Sequence, residues 1–523
     1  MRVAAVDIGT NSVHMVVADV GPEGGITVVD KSRVQVELGR GGLEHHTITD
    51  DALARALAAL ESFATQASLL GVEAITTAAT SAVREAKNGS EFCDRVTEAT
   101  GLHVRVISGV DEARLIWLGA RPNVDFSRGP ALLIDIGGGS VELVVAERDR
   151  VISAYSYPLG HLRTTEQFVR SDPPTADEIQ AIRKHVRQVI RPVTEDVRTG
   201  EIGSVVGTSG SIRTLGRMAT AMRGDPGLQH DHGLVLERTE LKRLLERMQE
   251  LKGARLSELP GMDMRRRGTL PAAAAVLYQV LKSLELERLS TSEAALREGL
   301  LYEWIDHHRP ELALSATEAS PRTRAILRLV ERYGADRPHA EHVRMLALSL
   351  FDALAPLHGL GADSRATLDW AALVHDIGHH VDARDHNRHG EYLILNSPMP
   401  GFTAPEVAVL GSVVRYHRGS RPKAAHPGFQ ALSRANQRRV EVLSALLRLA
   451  DALDRSHHQV VRAVDVRFGG PADPVVISAL GSTEVFLERW AAERRADPLQ
   501  QVLGKPVVVE VVTETQPSGY RPA

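Results

Sequence analysis

Two stretches of this chain carry the same chemistry. DIGTNSVHMVVA runs from Asp7 to Ala18, and DIGGGSVELVVA from Asp135 to Ala146. Each follows an apolar run and leads into another, the pattern of strand, glycine turn and strand. Glycine lets a backbone approach a ligand closely, and successive N–H groups in such a turn form an anion-binding nest. Gly9, Thr10, Asn11 and Ser12 in one copy, and Gly137, Gly138, Gly139 and Ser140 in the other, are candidate phosphate contacts. Asp7 and Asp135 would repel phosphate, so a divalent cation is expected between them. Magnesium commonly takes one or two carboxylates plus substrate phosphates. A third turn, VVGTSGSIRTLG (Val205 to Gly216), places Gly207, Thr208, Ser209 and Gly210 between a strand and a helix N-terminus, which also favours an anion.

Acids able to move a proton lie beside these turns. In VISGVDEARLIWLGA (Val106 to Ala120) a strand ends, Ser108 and Gly109 turn, and a helix begins. Asp111 and Glu112 stand in its first turn, where acids complement the helix dipole. One of them could instead accept a proton from a water attacking phosphorus; the residues leave open which. Glu142 follows Ser140 on the same strand face, where the first copy has His14, and is a second candidate acid. Arg84, in TSAVREA, suits phosphate oxygens but reads equally well as a solvated helix residue. Arg265, Arg266 and Arg267 are either a solvated face or part of a polyanion channel.

The C-terminal half holds a different set: AEHVRMLALSLFDAL, AALVHDIGHH, HNRHGEYLI, VVRYHR and LLRLADALD. His342, the adjacent His375 and Asp376, and Asp451 fall on separate predicted helices. Imidazoles with carboxylates suit a divalent transition metal, and helical bundles build such sites from facing helices. His389 and His417 would complete a second site.

Elements must position these groups. A length of 523 residues implies several domains. The pattern predicts strands at 2–7, 12–20, 26–38, 73–79 and 102–107, with helices at 50–70, 89–100 and 109–120. Asp50 and Asp51 are candidate caps. Residues 121–130 read as a linker. The style then repeats, with strands at 131–136, 141–147, 150–157 and 203–207, so a duplicated α/β lobe is expected. From about residue 312, periodic apolar helices take over: 318–333, 338–356, 365–377, 387–396, 404–417 and 435–455. Strands near 475–477 and 507–512, with a helix at 484–494, suggest a small α/β tail domain, and the final TETQPSGYRPA reads as disordered. A net charge of −4 gives no case for nucleic-acid binding. The single Cys93 fits a reducing cytoplasm. No signal peptide or membrane span is expected.

VDIGTNSVHMVVADV, SAVREA, ISGVDEARLIWLGA, LLIDIGGGSVELVV, GTSGSIRTL and TSEAALREGLLYE stand in the order of the Ppx/GppA phosphatases. The chain resembles that family, the exopolyphosphatases and guanosine pentaphosphate phosphohydrolases, from residue 1 to about 310. The resemblance implies two actin-like, sugar-kinase-like lobes (1–124 and 125–311). It implies Glu112 as the general base, with Asp7, Asp135 and Glu142 at a Mg²⁺ or Mn²⁺ site and Arg84 on phosphate. Many members carry Glu at the position of Asp111, which favours Glu112 as the base. Ala294 stands where relatives often have Gly, a matter of local packing. The helical part (312–460) resembles the HD phosphohydrolases, which implies a second divalent metal on His342, His375, Asp376 and Asp451. A small α/β domain (461–523) follows. The resemblance implies a cytoplasmic homodimer that cleaves terminal phosphate from polyphosphate or, alternatively, from pppGpp in the stringent response. An ATP-dependent kinase or an HD-domain nucleotide sensor are the more distant readings.

Overall fold

Asp7 and Asp135 lie near the ends of two central strands, and the sheets around those strands share one plan. The computed structural model describes the chain except residues 22–24, 44, 149, 199–201, 225–230, 309–319, 471–472, 482–485 and 514–523. The expected boundary near residue 312, and all of the expected disordered tail but Thr513, fall outside the described residues. Two compact units form, one of Met1–Gly227 with Asp231–Pro321, the other chiefly Arg322–Ala523.

The first sheet has the order β3-β2-β1-β4-β5. Its strands are β1 (Arg2–Ile8), β2 (Ser12–Val20), β3 (Ile26–Gln35), β4 (Ala74–Ala79) and β5 (Val104–Val106). β1, β2 and β3 form an antiparallel meander, and β4 and β5 run parallel to β1. The second sheet comprises β6 (Ala131–Ile136), β7 (Val141–Glu147), β8 (Arg150–Tyr157), β9 (Ser204–Thr208), β10 (Val235–Glu237) and β11 (Arg288–Thr291), in the order β10-β11-β9-β6-β7-β8. Here β6, β7 and β8 repeat the meander, while β9 and β11 take the places of β4 and β5. The sequence repeat is thus a fold repeat: two actin-like α/β lobes. β6 is buried along its whole length, Asp135 included, as the apolar run from Ala131 to Ile134 requires of a central strand. β10 and β11 span only three and four residues, too short to leave a periodic signal.

Helix Asp50–Leu69 is capped by Thr49, whose side chain accepts from the Ala52 N–H; Asp50 and Asp51 occupy the first turn instead. A hydroxyl one residue earlier reaches the free N–H groups, and the acids then face the positive helix end. Helices Gly109–Ala120 and Leu296–His308 lie between the sheets. Their Leu115, Trp117 and Leu300 share one apolar cluster with Val3 and Val16 of the first sheet and Leu133 and Val144 of the second. The helices touch through glycine. A Cβ on Gly299 would lie 1.8 Å from the Leu115 carbonyl oxygen, and one on Gly119 would lie 2.0 Å from that of Ala295.

In the second unit the helices Pro321–Arg332, Arg337–Ala353, Ala362–Val374, His386–Leu395, Ala404–Tyr416 and Arg434–Ala452 surround one core. β12 (Val461–Arg467), β13 (Val475–Gly481) and β14 (Val507–Thr513) form a terminal sheet. Ile477 of that sheet and Leu499 of a following helix belong to the same cluster as Leu443 and Leu446. The terminal segment therefore has no core of its own, because its sheet buries one face on the helices. Among the described residues, no helix is long and apolar enough to cross a membrane.

Changing a helix glycine to alanine normally gains about 1 kcal/mol. At Gly299 the added methyl meets backbone, so Gly299→Ala is expected to cost about 1–3 kcal/mol instead. Thermal denaturation of the full chain checks the sign.

Candidate functional site

Strand register builds two rows of polar groups. In the first sheet Asp7, His14 and Arg33 are directly opposed across β1, β2 and β3. In the second, Thr208, Asp135, Glu142 and Ser156 are opposed across β9, β6, β7 and β8. The two glycine turns close alike: the Gly9 N–H donates to the Ser12 carbonyl at 3.1 Å, the Gly137 N–H to that of Ser140 at 3.0 Å. Other turn carbonyls are bonded behind. That of Thr10 accepts from the Gly39 N–H, that of Gly137 from His161, and that of Gly138 from Leu162. In a planar trans peptide the next N–H points the opposite way. The N–H groups of Asn11, Gly138 and Gly139 therefore point away from those carbonyl partners, and all three residues line one cavity. The turns also face each other, since a Cβ on Gly139 would sit 2.9 Å from Thr10 Oγ1.

The third turn joins them. Thr208 Oγ1 donates to Asp135 Oδ1. Ser209 has φ of 82° and its Oγ accepts from the Ile212 N–H at 3.3 Å. Backbone held in this region by a non-glycine residue is a common mark of a functional turn. Gly207 leaves space for Ile212 and Leu289, and Gly210 for the Arg266 guanidinium.

Glu112 and Asp111 part company. Asp111 is exposed and accepts from Ser108 Oγ at 2.7 Å. Glu112 is buried and lines the cavity with Asp7 and Asp135. Glu142 is fully buried; its Oε1 accepts from Ser156 Oγ at 2.8 Å. Among the described residues Glu142 Oε2 and Asp7 Oδ1 are buried without a hydrogen-bond partner. Burial pushes the Asp7 carboxyl up to about 7, against the pull of Arg297. It lifts Glu112 to about 7 despite Arg84, and Asp135 to about 6 despite Thr208. Burial and the neighbouring Glu112 and Asp135 raise Glu142 well above the usual range. Buried carboxylate oxygens without donors fit a hard divalent cation.

Arg84 pairs with an acid of the cavity and is not itself among the lining residues. Its Nη1 donates to Glu112 Oε2 and to the Ile107 carbonyl, each at 2.9 Å, so it orients the acid. The arginines lining the cavity are Arg33, Arg213, Arg266 and Arg297. Arg33 also donates to Ser12 Oγ. Arg266, of the Arg265–Arg267 run, is buried, and burial brings it down to about 9. Motifs did not mark Arg33, but its register with His14 does, and counting along the meander would have found it.

The Ppx/GppA phosphatase family model matches residues 16–308, and the model of domain III of that family matches residues 322–476. The chain belongs to the Ppx/GppA phosphatase family. The crystal structure of an exopolyphosphatase from Cytophaga hutchinsonii is 26% identical, covering 60% of this chain and all of its own, with a TM-score of 0.56. That of an Aquifex aeolicus family member is 28% identical, covering 59% of this chain and 99% of its own, with a TM-score of 0.50. Membership makes the chain a phosphatase of a divalent-metal-dependent family.

In the domain III region the structure corrects two expected ligands. His342 is turned away, its Nε2 2.8 Å from the Val461 carbonyl oxygen. His339, one turn earlier, meets His375 and Asp376 instead. Likewise His386, not His389, lies beside Asp376 and His417. Positions three apart share a helix face, so periodicity could not separate them. Asp451 is in place, its Oδ1 3.7 Å from His339 Nε2. Although burial opposes it, Asp451 and Asp454 lift His339 to about 9.

The acids of the first unit carry a pH consequence. Their folded pKa values lie above the unfolded ones, so between roughly pH 4 and 7 the folded chain holds more protons. Stability from this site is present at low pH and lost as pH rises through that window. A divalent cation held by these carboxylates would take the place of the protons. Added Mg²⁺ is therefore expected to raise the melting temperature more near pH 8 than near pH 5.5. Equal shifts at both pH values would contradict the assignment.

Proposed function

We propose that the first unit is an exopolyphosphatase, removing terminal orthophosphate from inorganic polyphosphate. One observation carries the reading: two facing glycine turns and the carboxyls of Asp7, Glu112 and Asp135 share a cavity with four arginines. The N–H groups of the turns hold the terminal phosphate, helped by Ser12, Ser140 and the third turn. Arg33, Arg213, Arg266 and Arg297 hold the phosphates behind it. Glu112, with a carboxyl near neutrality, accepts a proton as the water oxygen bonds to phosphorus and the bridging P–O bond breaks. Arg84 keeps that carboxylate aimed. Glu142 keeps the metal side of the cavity acidic. Mg²⁺ or Mn²⁺, held by Asp7, Asp135 and Glu142, would neutralise charge developing on the phosphoryl oxygens.

Guanosine pentaphosphate ends in the same anhydride and is the rival substrate, one that would tie the chain to the stringent response. The described lining residues include no Phe, Tyr or Trp on which guanine would stack, which supports polyphosphate. An ATP-dependent kinase would transfer phosphate to an acceptor rather than to water. An HD-like sensing role for the second unit would leave phosphate release intact when its ligands are changed. A cytoplasmic homodimer belongs to the same reading, and sedimentation tests the dimer.

The deciding measurement is phosphate release from polyphosphates of several lengths, pppGpp and ATP. The highest kcat/KM is expected on long polyphosphate; a preference for pppGpp would reverse the choice. Glu112→Gln is expected to lower kcat by about 10²–10⁴ with KM little changed. Arg297→Ala is expected to raise KM instead. A Glu112→Gln variant with full activity would refute the role of Glu112.

A further inference from the structure

A cavity of the second unit is lined by three arginines and one acid. Arg438, Glu441, Ser444 and Arg448 recur along one face of the helix Arg434–Ala452, at the three- and four-residue steps that bring side chains together. Arg421 comes from the segment after the helix Ala404–Tyr416, and Gln501 from the helix Asp497–Leu503. The cavity measures about 200 Å³, against about 140 Å³ for the one in the first unit.

Arg448 is 9% exposed. Its Nε donates to the His417 carbonyl at 3.2 Å and its Nη2 to the Tyr416 carbonyl at 2.8 Å. Those bonds satisfy the C-terminal end of the helix Ala404–Tyr416, a structural role that two nitrogens fill. Nη1 is left over, with no hydrogen-bond partner among the described residues. No carboxylate bonds the group either. Asp451, one turn further along the same helix, pairs with Arg495, and Arg448 forms no ion pair among the described residues. Burial brings its guanidinium down to about 10; Arg495 and Arg421 push the same way, and Asp451 opposes them. A buried charge without a bonded counter-charge is costly, and an anion in the cavity would offset that cost.

The other two arginines also lack an acid. Arg438 donates to the Val502 carbonyl at 2.8 Å, and Arg421 makes no hydrogen bond or ion pair among the described residues. Elsewhere in the second unit arginines find carboxylates: Arg344 has Asp369, Arg365 has Asp352 and Arg415 has Glu391. Glu441 stands in the same cavity as three guanidiniums yet pairs with none of them. Its carboxylate stays available as an acceptor, and the amide of Gln501 both donates and accepts.

We propose that this cavity binds a small phosphomonoester bearing hydroxyl groups, such as a sugar phosphate. Arg421, Arg438 and Arg448 take the phosphate dianion, to which planar guanidiniums are suited. Glu441 and Gln501 take the hydroxyls. Arginines alone would hold any compact oxyanion. The acid among them disfavours a longer polyanion and selects a ligand with hydrogens to donate.

Equilibrium dialysis of the full chain against ribose 5-phosphate, glucose 6-phosphate, inorganic phosphate and tripolyphosphate tests this. The sugar phosphates are expected to bind at one site per chain, and more tightly than inorganic phosphate. Arg421 has no hydrogen bond or ion pair to lose among the described residues. Arg421→Ala is therefore expected to weaken sugar-phosphate binding about tenfold or more at an unchanged melting temperature. Glu441→Gln is expected to weaken the sugar phosphates but not inorganic phosphate. Arg297→Ala, in the first unit, is expected to leave this binding as it is. The proposal is overturned if neither sugar phosphate binds, if Arg421→Ala or Glu441→Gln binds them as the wild type does, or if Arg297→Ala alone abolishes binding. Tripolyphosphate held more tightly than the sugar phosphates, and released by Arg421→Ala, would make the cavity a polyanion site and overturn it equally.

Discussion

Two helices touching backbone to backbone between two sheets set the geometry of the first unit. Gly119 and Gly299 let the Gly109–Ala120 and Leu296–His308 helices approach without side chains between them. Each helix delivers a charge to the cavity from its first turn, Glu112 from one and Arg297 from the other. The same helices fill the apolar space between the sheets. Spacing of the lobes and the placing of Glu112 and Arg297 at the cavity thus follow from one close contact.

Around that contact the site departs from what folding alone would favour. Carboxylates are costly to bury, yet Asp7 and Asp135 from two strands meet Glu112 from a helix in one cavity, and Glu142 is buried beside Asp135. The meanders keep them there because Asp7 and Asp135 belong to strands whose other residues are core. Such local conflicts with stability are expected at functional sites, compensated by packing elsewhere. The two lobes share this scaffold but not its charges. Opposite the aspartate one has His14 and then Arg33, the other Glu142 and then Ser156.

The sequence made much of this legible because both hairpins are local. Strand, turn and strand lie within a dozen residues, and their glycines and aspartates are contiguous. The choice between Asp111 and Glu112 needed the Ser108 cap, which turns Asp111 outward. Arg33 and Ser156 were hidden because they join the site through a third strand, where register matters and motif does not. Arg84 reads as a phosphate ligand until its partner, far along the chain, is seen to be Glu112. His342 and His389 were one helical turn from the residues that matter. Periodicity gives a face and not a height along it.

The terminal sheet bears on the histidine cluster more than its place in the chain suggests. His342 bonds the carbonyl of Val461 at the start of β12. Arg495, from the helices that connect β13 to β14, pairs with Asp451. Sheet and helices share one apolar core. The histidine-bearing helices and the final strands are therefore packed as one body. Loosening the last strand would blur the positions of Asp451 and His339 together, and the chain's C-terminal end becomes part of how rigidly that cluster is held.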